Sequence, residues 1–513
     1  MPFAGRDLSA PFDLSRWPLF NACRDLEGPA LNDLHGSLSW SELEKACLIT
    51  ASRYLRLGVQ PGDRIASLMP NGLQLVVHYL AGLRCGVILT PLNYRYTVPE
   101  IDHALKLTQP SLILLHPERQ EDIDCSLAPG LCRLGCITPD EIRVEDYFDD
   151  GSYDHHLLLK HRDSDEPCFL FLTSGSTGRP KAATHTLRSM GWMIASIQKA
   201  ADITEKQRIL AGTSLSHIAS TLLVIAALSR GAQVAIPNDL SSSSIEILLR
   251  RHRPTLVMAL PVTLFNLVRD ENLNCDDFNS VQLCISGGDK VNHQLQDEFN
   301  NVTGLKIDEA YGMSEIGFAT LSPVGGENRL GSIGRLCPGF EGSIRDEKGL
   351  EISEGEEGLL WIRSPSNTIG YWDNDIATAE TIQGEWLNTG DVMRVDSDGY
   401  LWFCGRRKQI IIHDGSNICP QDVEDTLMEH PSVNYAGVIG VEDAIHGQNV
   451  HAYVSLKPAA TAPSENDLIA FARERVGYKA PEVIHYLTSI PLNSVGKIDR
   501  VALSRMAHSN IDG

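Results

Sequence analysis

The sequence predicts an α/β protein with a large N-terminal domain of two parallel α/β subdomains plus a β-hairpin or barrel module, followed by a small mobile α+β C-terminal domain. Three observations carry that prediction. Residues 38–323 alternate helical apolar patterns with short apolar runs, which is the rhythm of a mostly parallel sheet covered on both faces by helices. Residues 331–404 change to short strands broken by Gly and acidic turn residues, the texture of antiparallel hairpins. After Gly405, three consecutive cations, Arg406, Arg407 and Lys408, precede a tail that again mixes strands and helices. The expected division is therefore 1–407 for the N-terminal domain and 408–513 for the C-terminal one, the latter within the usual domain size.

The elements follow in order. ELEKACLITASRYLRLG reads as a helix, GDRIASLMP as a strand, GLQLVVHYLAGLRCG as a second helix and VILTPL as the next strand. AQVAIP, SIEILLRRHRP, TLVMALP and SVQLCISGG continue the alternation, which is long enough for two packed sheets. The hairpin module contains GSIRDEKGLEISEGEEGLLWIR and VMRVDSDGYLWFCG, and DLIAFARERVG is the clearest helix of the tail. Residues 149–166, with His155, His156 and His161, read as a solvated loop, because no Cys or acidic ligand pattern accompanies the histidines.

Composition narrows the function classes. The 513 residues are 42% hydrophobic and 21% charged, as in soluble globular chains. With 66 Asp plus Glu against 44 Lys plus Arg the net charge is −22, which disfavours nucleic acid and anionic membrane surfaces as partners. Asp7 and Asp13 interrupt any signal-peptide core, and apolar runs such as residues 222–228 fall far short of the roughly 18 residues a membrane span needs. The 12 cysteines are scattered, and Cys132 and Cys136 lack the second ligand pair of a zinc site. They read as reduced thiols in a cytoplasmic enzyme.

The strongest local signal is CFLFLTSGSTGRPKAATHT, residues 168–186. An apolar run fits a buried strand and opens into a loop, with a helical stretch expected to resume near Thr184. Gly175 and Gly178 let backbone N–H groups crowd around an anion, Thr173, Ser174, Ser176 and Thr177 add hydroxyl donors, and Lys181 adds a point charge. The spacing is not that of a Walker A loop, since Arg179 and Pro180 separate Gly178 from Lys181. Taken alone, the segment is also compatible with a Gly/Ser surface turn.

TSGSTGRPK resembles the signature loop of the adenylate-forming (AMP-binding) superfamily, and further motifs follow in the family's order: SGGDKV with Gly287, Gly288 and Asp289, AYGMSE at 310–315, LNTGD at 387–391, GRRKQIIIHDGSNICPQDVE at 405–424 and PLNSVGKIDR at 491–500. Together they span nearly the whole chain, which is similar to bacterial acyl-CoA synthetases and 4-coumarate-CoA-ligase-like enzymes. The resemblance implies a nucleotide site made by the 173–178 loop, Lys181, Gly287, Gly288, Asp289, Tyr311, Gly312, Asp391, Arg406, Lys408 and Gly415. Within it Tyr311 stacks on adenine, while Asp391, at the end of a turn, and Arg406 hold the ribose. Ser314 stands where the family more often has Thr. Glu315 is the expected Mg²⁺ ligand, a hard oxygen donor. Lys497 corresponds to the lysine that reaches the substrate carboxylate and the α-phosphate, and Lys408 to a polar hinge residue. Asp414 departs from the Gly or cation of many relatives.

His217, in TSLSHIAS, lies where acyl-CoA synthetases carry a His or aromatic residue beside the acyl pocket, and its plain reading is a polar residue at a helix start. IASTLLVIAAL beyond it suits a hydrocarbon body, and an amine-holding FD-x-S pattern is missing, against an amino acid substrate. The implied reaction uses ATP, Mg²⁺ and coenzyme A to turn a fatty or aryl acid into its CoA thioester through an acyl-adenylate. Two other readings stay open: a ligase loading a separate phosphopantetheinyl carrier protein, and a non-catalytic ATP sensor. A homodimer is compatible with the sequence.

Overall fold

The computed structural model describes residues 2–15, 28–128, 130–135, 162–173, 180–270, 272–414, 416–443, 445–493 and 497–509. The chain divides into two compact units. One comprises residues 2–342 and 362–387; the other comprises 343–361 and 388–513, together with Met1.

The larger unit carries two sheets. In the first, the strands run in the order Arg335–Leu336, Gly317–Leu321, Ile307–Met313, Leu283–Gly287, Leu256–Ala259, Arg208–Gly212, Gln233–Ala235, Pro29–Asn32 and Ser37–Ser39. The five pairings from Ile307–Met313 to Pro29–Asn32 are all parallel, and the outer pairings are antiparallel. Leu256–Ala259 is buried at every position, because helices cover both faces and each side chain meets apolar neighbours. Leu210, Leu248, Val257, Leu264, Phe299 and Ile307 belong to that core. Its helices begin at side-chain caps: Ser241 accepts from Ser244 N before Ser242–His252, and Asn292 from Leu295 N before His293–Thr303.

The second sheet orders Cys132–Gly135, Leu112–Leu115, Arg64–Leu68, Ile88–Pro91, Pro167–Leu172 and Ala182–Thr186. Only the last pairing is antiparallel. The helices Trp40–Arg56 and Leu73–Cys85 bury a charge pair, Arg84 Nη1 on Glu44 Oε1 at 2.5 Å. The expected α/β alternation is borne out element by element, with one correction. Thr184 lies in the strand Ala182–Thr186, and the helix starts only at Leu187, capped by the Thr186 hydroxyl. The three histidines of the expected solvated loop lie outside the described residues, whereas Arg162 at the end of that interval is buried and donates to Leu83 O.

Glu341–Arg345, Gly358–Arg363, Trp386–Val395 and Leu401–Arg406, of which residues 343–361 and those from 388 onward belong to the smaller unit, are successive sheet neighbours, as the Gly-punctuated texture predicts. A further sheet joins Ser416–Ile418, Ile411–His413, Gly447–Leu456 and Val433–Asp443, with Val483–Tyr486 parallel to Gly447–Leu456. The helices Pro420–Met428 and Glu465–Val476 supply Val423, Leu427, Leu468 and Ala472 to its core. The fully buried Glu424 is held by Arg500 at 2.6 Å and by Val438 N at 2.8 Å, which satisfies a charge that would otherwise cost several kcal/mol.

Candidate active site

Two of the motifs in the larger unit, SGGDKV and AYGMSE, begin on neighbouring strands of the first sheet. Leu283–Gly287 pairs in parallel with Ile307–Met313, placing Gly287 opposite Ala310. A Cβ on Gly287 would lie 2.4 Å from Ala310 O, and one on Gly312 would lie 2.0 Å from Gly317 O. Both glycines are therefore required by close backbone approach. Gly288 has φ +85°, which lets the chain turn away after the strand. Tyr311 is half-buried, its N–H donating to Thr320 Oγ1 at 3.2 Å, and Asp289 is exposed, with Oδ1 accepting from Lys290 N.

Glu315 sits in the turn after Ile307–Met313 and is only 4% exposed. Its Oε1 accepts from Tyr371 Oη at 2.7 Å and its backbone carbonyl from Thr368 N at 2.7 Å. Burial, the charge of Glu315 and that hydrogen bond together raise the Tyr371 phenol well above its ordinary range, so it remains a donor. Lys181 Nζ lies 4.7 Å from the centre of the Tyr371 ring, a cation–π contact, while its carbonyl accepts from Thr173 N at 2.7 Å. His185, fully buried, donates from Nε2 to Ser314 O at 2.7 Å. Burial pushes its pKa down to about 4, against the pull of that carbonyl, so it is neutral at physiological pH. Lys181 and Glu315 are thus organised through one residue, Tyr371.

His217 is the N-cap of Ile218–Leu228, with its carbonyl accepting from Thr221 N at 3.3 Å, which agrees with its plain reading as a helix-start residue. Nearly all of that helix is buried. A Cβ on Gly317 would meet Met193 Sδ at 2.8 Å and Leu222 Cδ2 at 3.3 Å, so the apolar wall lies two residues along the chain from Glu315.

In the smaller unit, Asp391 and Arg406 face each other in the sheet register, with Arg406 Nε 3.1 Å from Asp391 Oδ1 and Asp391 1% exposed. Asp391 lies within the strand Trp386–Val395, not at the expected turn. Pairing with Leu401–Arg406 keeps the chain extended even though Gly390 has φ +72°. Lys408 is exposed in the 3₁₀ turn Arg407–Gln409. Lys497 is bonded twice to Asn493: its N–H donates to Asn493 Oδ1 at 3.0 Å, and its carbonyl accepts from Asn493 N at 2.8 Å. Ser174, Gly175, Ser176, Thr177, Gly178 and Gly415 lie outside the described residues.

Sequence reasoning did not single out Tyr371, Thr368 or His185. His185 stood inside the quoted run 168–186. Tyr371 is 56 residues from Glu315, and nothing local in TIGYWDN marks it.

A fold with two parallel sheets, a buried acidic turn and a C-terminal module on separate sheets is that of the adenylate-forming enzymes. The model of the AMP-binding enzyme family matches residues 21–372, and that of the AMP-binding enzyme C-terminal domain matches 422–497. The chain belongs to this family. It is 31% identical over 492 residues to a feruloyl-CoA synthase of Amycolatopsis, covering 94% of this chain and 97% of the relative. It is 29% identical over 538 residues to a long-chain-fatty-acid–CoA ligase of Escherichia coli O157:H7, with 96% and 94% covered. Among solved structures, a benzoate CoA ligase from Burkholderia xenovorans superposes with a TM-score of 0.85 at 25% identity, covering 95% of this chain and 98% of that one.

Proposed function

We infer that this chain is an ATP-dependent carboxylate–CoA ligase acting on an acid with a hydrocarbon body, aryl or fatty. In the first half-reaction a carboxylate oxygen attacks the α-phosphorus of ATP and the bond to pyrophosphate breaks. In the second, the CoA sulfur attacks the acyl carbonyl, AMP leaves and the thiol proton passes to solvent. The observation that carries the reading is the buried Glu315 fixed by Tyr371 and Thr368 beside Lys181, in a chain whose relatives are CoA ligases over their whole length.

The residue roles follow from chemistry. Glu315 supplies a hard oxygen for Mg²⁺, whose charge would offset that developing on the phosphates. Lys181 and the donors of 173–178, together with Gly287, Gly288 and Asp289, hold phosphate and nucleotide. Tyr311 offers a ring for adenine, and Gly312 permits the backbone approach that sets it. Asp391 accepts from the ribose hydroxyls, with Arg406 supporting it. Ser314 contributes a hydroxyl, His217 borders the acyl wall formed by Leu222 and Met193, and Gly415 belongs to the C-terminal segment serving the second step. We place the domain boundary at Lys408 and assign Lys497 to the adenylation step.

Buried free thiols such as Cys168 and Cys337, both pushed up to about 12 by burial, suit a reducing compartment, and we place the enzyme in the cytoplasm. Among the described residues no helix is long and apolar enough to cross a membrane.

The test is pyrophosphate release with ferulate, benzoate and palmitate, followed by thioester formation with free CoA against a holo-carrier protein. Acid-dependent pyrophosphate release with thioester on CoA is expected. Thioester only on the carrier would reassign the acceptor, and no release with any acid would overturn adenylation. Lys497→Ala should lower adenylation by at least about 100-fold, the scale of losing one charge-stabilising group, while transfer from preformed acyl-AMP to CoA persists. Equal losses in both half-reactions would remove Lys497 from its role.

A further inference from the structure

We propose that His413, Asp414, His446 and Glu482 bind one divalent transition-metal ion in the C-terminal module, a site separate from the Glu315 ligand set. One potential ligand atom from each of His413, Asp414 and His446 lies within 4.8 Å of the others. Asp414 places its carboxylate between two imidazoles: His446 Nδ1 is 2.8 Å from Oδ1, and His413 Nε2 is 3.7 Å from Oδ2. Glu482 Oε1 is 3.5 Å from His413 Nε2. An ion with bonds of about 2.0–2.1 Å in tetrahedral geometry separates its ligand atoms by about 3.3 Å, and these separations bracket that value.

The ligands are also oriented from outside the cluster. His413 Nδ1 donates to Gln448 O at 2.7 Å. That bond fixes the tautomer and leaves the Nε2 lone pair directed at the two carboxylates, the same device that orients metal-bound histidines generally. Glu482 Oε2 accepts from Val450 N at 2.6 Å, which leaves Oε1 on the His413 side. Asp414 sits at φ +49°, a conformation uncommon for a residue other than glycine. Its N–H donates to His446 O at 2.9 Å and ties the two ligand-bearing segments together. Two imidazoles and two carboxylates suit Zn²⁺, Co²⁺ or Ni²⁺ better than Mg²⁺, and the carboxylates balance the charge of the ion. His446 is 40% and Asp414 60% exposed at the side chain, so an ion has an entry path.

A structural ion pair between His446 and Asp414 is the competing explanation. The experiment uses the full chain without an affinity tag, stripped with a chelator, titrated with Zn²⁺ by calorimetry and with Co²⁺ by visible absorption. One ion per chain is expected, with the d–d bands of an N/O-ligated Co²⁺. H446Q and E482Q should each weaken Zn²⁺ binding by at least about 10-fold, the lower end of what even outer-sphere partners cost, and should lose those bands. Melting curves of the metal-free variants show that each is folded, and two variants on different segments guard against one failing to fold. Unchanged stoichiometry and affinity in the folded variants, or no binding by the parent chain, would leave an ion pair only and overturn the proposal.

Discussion

Tyr371 joins the two charged groups of the larger unit's site, since its hydroxyl meets Glu315 and its ring meets Lys181. Tyr371→Phe separates these contacts, keeping the ring and removing the donor. A hydrogen bond to a charged group contributes about 1.5–3 kcal/mol, so a Glu315 carboxylate short of one donor should move more freely. The expected outcome is pyrophosphate release that needs a several-fold higher Mg²⁺ concentration for half-maximal rate, with Lys181→Ala lowering the rate at saturating Mg²⁺ instead. Identical magnesium curves for Tyr371→Phe and the parent would remove Tyr371 from the site. Glu315 was legible in the sequence because AYGMSE is a contiguous motif. Tyr371 was not, because the chain returns to Glu315 only through the segment in which Thr368 and Ile369 bond to Glu315 O and Thr184 O.

The hairpin formed by Ile307–Met313 and Gly317–Leu321 sets where Glu315 lies. At Gly312 the obstruction to a side chain is a backbone carbonyl 2.0 Å from the Cβ position, which no rotamer change relieves. Gly312→Ala should cost about 1–3 kcal/mol as the strands part. A lowered melting temperature and loss of pyrophosphate release together are expected, and retention of both would show that the hairpin tolerates the Cβ. A second element-scale prediction concerns the helices Trp40–Arg56 and Leu73–Cys85. His78 is buried between them with Nδ1 2.7 Å from Tyr54 Oη, and burial pushes its pKa down to about 3 from 6.5. Unfolded His78 takes up a proton below about 6.5 while the folded one resists until about 3, so the unfolded state binds more protons across that interval. Its contribution to stability is complete above about 6.5 and is lost as pH falls toward 3. His78→Gln, neutral throughout, should show a shallower fall in melting temperature between pH 6.5 and 4 than the parent chain, and parallel curves would refute the assignment.

At the scale of the whole chain, the hinge proposed at Lys408 would bear unequally on the two half-reactions. Lys408 follows Arg406, whose carbonyl accepts from Ile410 N at 3.0 Å, so a change of φ there would act just beyond the pair proposed to hold the ribose. Lys408→Pro fixes φ near roughly −65° and removes a donor. Thioester formation should fall further than adenylation in single-turnover assays, with the melting temperature held close to that of the parent. Losses in parallel with a lowered melting temperature would mean a general destabilisation and no hinge.

Local periodicity determined the helices and strands of the two sheets, because apolar spacing along the chain is itself the physical cause of which faces are buried. Contiguous motifs determined the family, and with it marked Glu315, Lys181 and the Asp391 and Arg406 pair as candidates. Tertiary structure alone decided which side chains answer those residues. Tyr371 and Thr368 reach Glu315, His185 reaches Ser314 O, and Glu482 reaches His413, each across a span that no local pattern encodes. It also moved Asp391 from a turn into a strand and Thr184 from a helix into a strand, because sheet pairing with Leu401–Arg406 and with Pro167–Leu172 outweighs the local preference of Gly390 and of a hydroxyl-rich run.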